Sequence, residues 1–391
     1  MAWEIDGRRC LAAGDNGRMK TTVAVIGGGL SGLCAARRLH AAGIDVRVIE
    51  ARPRLGGRIL STDEHGAPSD DGFDLGPSWC WPRVQPQLAA LVQELGLDLF
   101  PQHTRGDVLF ERMSRETPLR CQASDQEPQS MRIVGGTSAL TAALLAQLPA
   151  DRVLPGTHVT HMALGHSEVE LTTSRDDGAM GHLLADQVVA AVPPRLLTQL
   201  AFSPAVDETA ARRWAETATW MAPHAKVLAV YDRPFWRDAG LSGTAQSFVG
   251  PLGEIHDATT ASGKAALFGF VSVGADARAA IGEAALVAAC VQQFARLFGP
   301  EALQPRATLV KDWSTDPLTA VASDRVPSGH PHPSAAPWVT GVWQERLSLC
   351  ASETSARSAR RWRWRTAWRP LGKNDSLLTT NQVGYRLGAC I

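Results

Sequence analysis

Two groups of residues have types and spacing suited to chemistry. The first is Gly27-Gly28-Gly29-Leu30-Ser31-Gly32 with Glu50 behind it. It satisfies G-x-G-x-x-G, with an acid roughly 20 residues after the glycines. Gly27 permits a tight turn, Gly29 lets backbone approach a pyrophosphate, and Gly32 lets the next helix pack closely on its strand. Leu30 and Ser31 open that helix, whose N-terminal N–H groups and partial positive charge suit phosphate. Glu50 can accept hydrogen bonds from a ribose diol. The chemistry is dinucleotide binding, and at this point nicotinamide and flavin nucleotides are both open. A glycine-rich turn that merely packs explains neither the three spacings nor Glu50.

The second group is Lys226, at the head of the apolar run Ala225–Tyr231 and just before Pro234-Phe235-Trp236, together with Trp313 in Trp313-Ser314-Thr315-Asp316-Pro317. Read alone, Lys226 is a strand-edge lysine in solvent and Trp313 a core residue. His158, His161 and His166 lie close together in the chain. On a strand the first two face opposite sides, and no carboxylate or cysteine completes a set, so no metal site is expected.

These residues need elements to hold them. Thr22–Ile26 is a β-branched apolar run, as in a buried parallel strand. A helix follows to about Ala42, with Gly43 as its left-handed stop, and Asp45–Ile49 is the next strand. Pro86–Leu99 reads as an amphipathic helix and Asp107–Pro128 as an inserted, partly stranded segment. Met131–Leu140 opens a helix capped by Thr137 or Ser138. Val153–Leu164, Leu171–Thr173 and Gln187–Val192 read as strands that end at Pro193-Pro194. Ala205–Thr219 and Gly282–Phe298 are helical, Ala266–Val273 is a strand, and Val326–Pro337 is a loop or linker.

The residues after Glu50, Ala51-Arg52-Pro53-Arg54-Leu55-Gly56-Gly57-Arg58, resemble the E-A-R-x-R-x-G-G-R signature of flavin-containing amine oxidases. That superfamily also takes in protoporphyrinogen oxidases and phytoene desaturases. The resemblance implies FAD rather than a nicotinamide nucleotide, with Glu50, Ala51, Arg52, Gly57 and Arg58 around it. Gly72–Trp79 is similar to the family's D-L-G-x-x-W/Y segment, which implies that Gly76, Pro77, Ser78 and Trp79 lie beneath the flavin. Gly135-Gly136 matches its G-G-x-x-x-L element, and Val159 stands where the family sets a valine backbone opposite adenine. Lys226 before P-F-W closely resembles a motif of monoamine and polyamine oxidases, in which the lysine holds a water beside flavin N5. Trp313 falls in the family's W-x-x-D-P motif near the active site. Leu347–Thr354 resembles its last strand and F-A-G-x-E-T turn, which implies Glu353 near the pyrophosphate and ribityl chain. Members that oxidise small amines carry a cage tyrosine shortly after the tryptophan, and here Val321-Ala322-Ser323 stands there. Tyr231 and Tyr385 are the only tyrosines, so that cage cannot be built. No cysteine is placed to link the flavin, which implies non-covalent FAD.

The bulk properties limit the rest. The chain has 391 residues, 45% hydrophobic and 20% charged, enough for two cores. Its 39 basic and 39 acidic residues balance, so nothing draws it to nucleic acid, and no apolar run reaches the length of a transmembrane segment. Seven scattered cysteines without C-x-x-C argue against a disulfide framework or a structural zinc, and a reducing cytoplasmic compartment is expected.

The implied fold is α/β: a Rossmann-type doubly wound FAD-binding domain with an inserted α+β substrate domain. The expected FAD-binding parts are 19–85, 131–195 and 326–355, and the substrate parts 86–130 and 196–325. Residues 1–18 read as a disordered tail, with Met19 as a candidate native start. The implied reaction is oxidation of an amine C–N bond to an imine, with oxygen as acceptor and peroxide as product. Alternatives are another oxidase or desaturase of the superfamily, or an impaired flavoprotein fold. The resemblance stops after Thr354, where Arg357–Arg369 holds six arginines and three tryptophans. A frame-shifted end, a cationic membrane-surface segment and an unusual native tail are the three readings of 356–391. The abrupt stop favours the frame shift, which would weaken FAD retention and activity.

Overall fold

The computed structural model describes residues 19–122, 128–329 and 336–354. The expectations for the N-terminal tail and for 356–391 lie outside the described residues.

The chain builds two large mixed sheets. The first grows from β1 (Met19–Ile26), α1 (Leu30–Ala41) and β2 (Val46–Ile49). Gly43 follows α1 with φ +75°, the left-handed stop that its type permits. β1 lies between β2 and the long strand Met180–Ala190, parallel to both. Val153–Leu154 extends the sheet beyond β2, and Val169–Arg175, Thr157–Leu164 and Ala201–Ser203 extend it on the other side. The closing strand, Leu347–Leu349, returns parallel to Val188–Ala190. Because β1 alternates along a buried sheet, its residues feed two cores. Val23 and Val25 pack with Leu33, Ala36, Leu140 and Leu144, while Ala24 and Ile26 pack with Met162, Leu171, Trp214 and Trp343.

The second sheet runs in the order Ala307–Asp312, Ala225–Tyr231, Ala265–Val271, Leu252–Asp257, Leu241–Ser247, Asp107–Glu111, Leu119–Gln122. Ala225–Tyr231 is therefore an interior strand, paired antiparallel on both sides. Its period of two separates roles. Val227, Ala229 and Tyr231 meet the helix Glu283–Phe298 through Leu286, Cys290 and Phe294. Leu228 and Val230 face the other way, onto Phe73, Leu75 and Phe268, and Lys226 shares their parity.

Several elements differ from their expected bounds. The helix after Pro86 ends at Glu94, and Leu99–Pro101 is a strand paired with Met131–Ile133. Leu88, Leu91 and Val92 of that helix pack in the core of β1 and α1. Thr137 is the N-cap residue of Ser138–Leu145, but its side chain makes no capping bond. It donates to Asp74 Oδ1 at 2.8 Å, while Ser138 Oγ accepts from the Ser61 amide. No single helix among the described residues is long and apolar enough to cross a membrane.

Candidate active site

The glycine loop is built by packing constraints. A Cβ on Gly32 would lie 1.9 Å from the Gly27 carbonyl oxygen, so only glycine lets α1 start this close to the turn. Gly27 has φ +103°. Glu50, buried at the end of β2, accepts from the Gly28 amide at 2.6 Å and the Arg52 amide at 2.8 Å. Arg52 in turn reaches Asp316 Oδ1 at 2.6 Å and Thr319 Oγ1 at 2.9 Å. Burial opposes ionisation of Asp316, but Arg52 and Lys311 outweigh it and hold the carboxyl below its ordinary value. Glu50 thus orders the loop as well as facing the space beside it.

That space is a cavity of about 350 Å³, lined by Gly27, Gly29, Leu30, Ser31, Glu50, Ala51, Arg52, Gly57, Arg58 and Val159, with Pro317–Thr319 and Ser352 closing it. At Gly29 an added Cβ would meet nothing nearer than the Gly57 Cα at 3.9 Å, so the backbone there lies bare. No side chain caps the N-terminus of α1. A cavity with bare glycine backbone, an uncapped helix N-terminus and a buried carboxylate fits a dinucleotide such as FAD.

A second cavity, about 290 Å³, adjoins the sheet of Lys226 and is lined by Gly76, Pro77, Ser78, Trp79, Lys226 and Trp313, among others. Arg58 lines both cavities. It is fixed there by Glu353 Oε1 at 2.7 Å, by the Trp220 carbonyl at 2.9 Å and by Ser352 Oγ. Glu353 is fully enclosed and also accepts from Ser352 Oγ.

Lys226 is 3% exposed, which overturns the solvent-edge reading of this lysine. Its interior strand position and the Phe73–Leu75 segment packed on the same face bury it. Nζ donates to Asp74 O at 3.0 Å, Gly76 O at 2.7 Å and Ser78 Oγ at 2.9 Å, and lies 4.3 Å from the Phe268 ring centroid. Burial pushes its pKa down to about 7, with Asp74 opposing and Arg132 assisting. A Cβ on Gly76 would lie 2.0 Å from the Arg58 carbonyl oxygen, so glycine alone lets this turn lie against Arg58. Trp313 is buried and donates from Nε1 to Leu75 O at 3.3 Å.

Sequence reasoning missed Trp81, Trp220, Met221, His224 and Phe270, which also line the Lys226 cavity. The absence of cage tyrosines therefore leaves no gap in aromatic character, because tryptophans and Phe270 form the walls. Phe270 had a findable signal: it lies directly across from Lys226 in the antiparallel ladder. Met221, at φ +64°, carries a left-handed backbone that its sequence neighbours do not announce. Of the three histidines, His158 stands 3.3 Å from Asp176 and His161 2.9 Å from Ser203 Oγ. Among the described residues no group of three His, Cys, Asp or Glu is placed to hold a metal.

The two sheets, the glycine loop and the paired cavities define a dinucleotide-binding oxidoreductase architecture. The family model for flavin-containing amine oxidoreductases matches residues 30–120 and 110–357, and the chain belongs to that family. Its relatives include an L-amino acid dehydrogenase of Synechocystis, 24% identical over 395 residues that cover 75% of this chain and 81% of that protein. A putrescine oxidase of Kocuria rosea is 25% identical over 363 residues, covering 66% of this chain and 74% of that one. Among solved structures, a putrescine oxidase bound to putrescine superposes with a TM-score of 0.70 at 22% identity, covering 87% of this chain and 95% of that one. The fold is thus the α/β architecture of that structure, built on two large mixed sheets.

Proposed function

We propose that this chain is an FAD-dependent oxidase of amines, converting a C–N bond to an imine with oxygen as acceptor and peroxide as product. The observation that carries the reading is Lys226: a buried lysine near neutrality, on the wall of an aromatic cavity that meets the glycine-loop cavity at Arg58.

Bound FAD would supply the two-electron acceptor that the side chains lack. Glu50 and the Gly27–Gly32 loop would hold its ribose and pyrophosphate, and Val159 would stand by its adenine. Arg58, held by Glu353, would stand at the passage toward the flavin ring, and the Gly76–Trp79 turn would lie beneath that ring. None of Cys34, Cys80, Cys121, Cys290 or Cys350 lines either cavity, which supports non-covalent attachment.

The role of Lys226 follows from its donors. A protonated amine has three N–H groups, and three acceptors already take them. Loss of one proton leaves two N–H groups for the Asp74 and Gly76 carbonyls and one lone pair. That lone pair can accept from a water once the Ser78 hydroxyl has rotated away. With its pKa near 7, Lys226 can make that change at neutral pH and exchange a proton with the held water. The aromatic walls exclude bulk water from the reacting carbon. The test is peroxide release by the full chain with added FAD over a panel of primary amines. Peroxide from at least one amine, lost in Lys226→Met, is expected; none from any amine would contradict the reading.

A further inference from the structure

Asp74 meets Lys226 through its backbone and a buried cation through its side chain. Its carbonyl accepts from Lys226 Nζ at 3.0 Å. Its Oδ1 is filled by neutral donors: Ser61 Oγ at 2.7 Å, the Thr137 amide at 2.7 Å and Thr137 Oγ1 at 2.8 Å. Its Oδ2 is buried without a hydrogen bond and stands 3.9 Å from Arg132 Nη2. That contact is Coulombic, too long for a hydrogen bond. Arg132 lies on the strand Met131–Ile133 and is equally buried, with Nη1 donating to Thr259 O at 2.8 Å. The carboxylate is therefore fixed by neutral groups rather than closed onto its cation. Two opposite charges stand at set places near one buried amine, where little water screens them.

The other charged groups around the amine have partners of their own. Arg58 is paired with Glu353, and Lys311, across the ladder from Lys226, with Asp316. Asp312 holds Arg278, and Asp257 holds Arg237. His256 packs on Phe268 and stands 3.7 Å from Glu254. Burial and the Arg278 charge keep His224 below its ordinary pKa, so it is neutral at pH 7. Phe268 and Phe270 face Nζ from the other neighbouring strand and carry no charge. Asp74 and Arg132 are left as the pair that acts on the amine. Asp74 favours its charged form, and Arg132 joins burial in favouring the neutral one.

Resting on the amine oxidase reading, we propose that Asp74 is a positioning residue for Lys226, and that Asp74 and Arg132 form a buried charge couple deciding whether the amine carries two protons or three. With three protons the amine is taken up by its three acceptors. With two, it keeps the Asp74 and Gly76 carbonyls and has a lone pair for water. Asp74 thus holds the amine in place by its carbonyl and opposes its proton loss by its carboxylate.

The test follows Lys226 directly by NMR of the full chain labelled at the lysine ε-carbons, without added FAD. The chain has five lysines, and the signal lost in Lys226→Met is that of Lys226. Asp74→Asn keeps an Oδ1 acceptor and removes the negative charge. Its Lys226 midpoint should fall by about one pH unit or more from that of the parent. Arg132→Met should raise the midpoint by a similar amount. The double variant Asp74→Asn, Arg132→Met should lie between the two, and it avoids a lone buried charge if Arg132→Met folds poorly. Melting temperatures show which variants fold. A merely structural role would not move the midpoint in opposite directions. Midpoints that stay put, or that move the same way in Asp74→Asn and Arg132→Met, would overturn the proposal. The same proteins saturated with FAD are then mixed anaerobically with benzylamine across pH. The pH limb of flavin reduction should shift with the NMR midpoint, and a limb fixed while the midpoint moves would overturn the catalytic part. Shifted midpoints with no flavin reduced by any amine would uphold the charge couple and sink the oxidase reading.

Discussion

Lys226 Nζ donates to the Gly76 carbonyl oxygen at 2.7 Å, although 150 residues separate them in the chain. The second sheet thereby grips the turn that approaches Arg58, and one side chain links the two parts of the molecule. Its partly lost charge has consequences for both stability and chemistry.

The stability consequence has a definite sign. The pKa of Lys226 falls from 10.5 to about 7 on folding, so between those values the unfolded chain binds a proton that the folded chain does not. Stability from this group therefore rises with pH across that window and is lowest below about 7, where the buried amine must carry its charge. Urea unfolding at several pH values should show this rise in the parent and a flatter profile in Lys226→Met. Parallel profiles would show that the amine is not desolvated as the geometry implies.

The chemical consequence is read in half-reactions. Lys226→Met should leave FAD affinity close to that of the parent, because no contact of Nζ belongs to the glycine-loop cavity. It should slow flavin reduction or reoxidation in stopped-flow measurements. Equal rates for variant and parent would remove Lys226 from the mechanism.

Arg58→Ala leaves the enclosed Glu353 carboxylate without its ion-pair partner. Breaking a buried pair from one side costs about 3–5 kcal/mol, so the midpoint of urea unfolding should fall accordingly. Arg58→Ala together with Glu353→Gln should recover part of that loss. A single variant as stable as the parent would mean that the pair contributes little.

At the glycine loop, Glu50→Ala leaves the Gly28 and Arg52 amides without their acceptor, at about 1–3 kcal/mol. FAD affinity should fall together with stability, because one carboxylate orders the loop and faces the cofactor cavity. Acid precipitation of the FAD-loaded parent should release a yellow supernatant, as non-covalent attachment requires. Flavin left on the precipitated protein would contradict that attachment.

How much of this was legible in the chain depends on sequence distance. The glycine loop, β1, α1, β2 and Glu50 lie within one short stretch, and local spacing carries their structure. Trp313 and Lys226 were legible through family motifs, but the burial of Lys226 was not. It depends on the second neighbouring strand, Ala307–Asp312, and on Phe73–Leu75 packing across the face. Arg52 to Asp316 and Arg58 to Glu353 join residues 264 and 295 positions apart, and no local pattern announces such pairs. His224 had no period or motif to mark it. Only the assembled cavity wall does.

The most direct measurement is anaerobic: benzylamine is added to the full chain saturated with FAD, and the visible flavin absorbance is followed through a single turnover. A single turnover detects even slow chemistry. The account predicts bleaching of the flavin by benzylamine, recovery of its colour on admitting air with stoichiometric peroxide, and a much slower bleach in Lys226→Met. A flavin that stays oxidised with benzylamine and every other amine tried would contradict it.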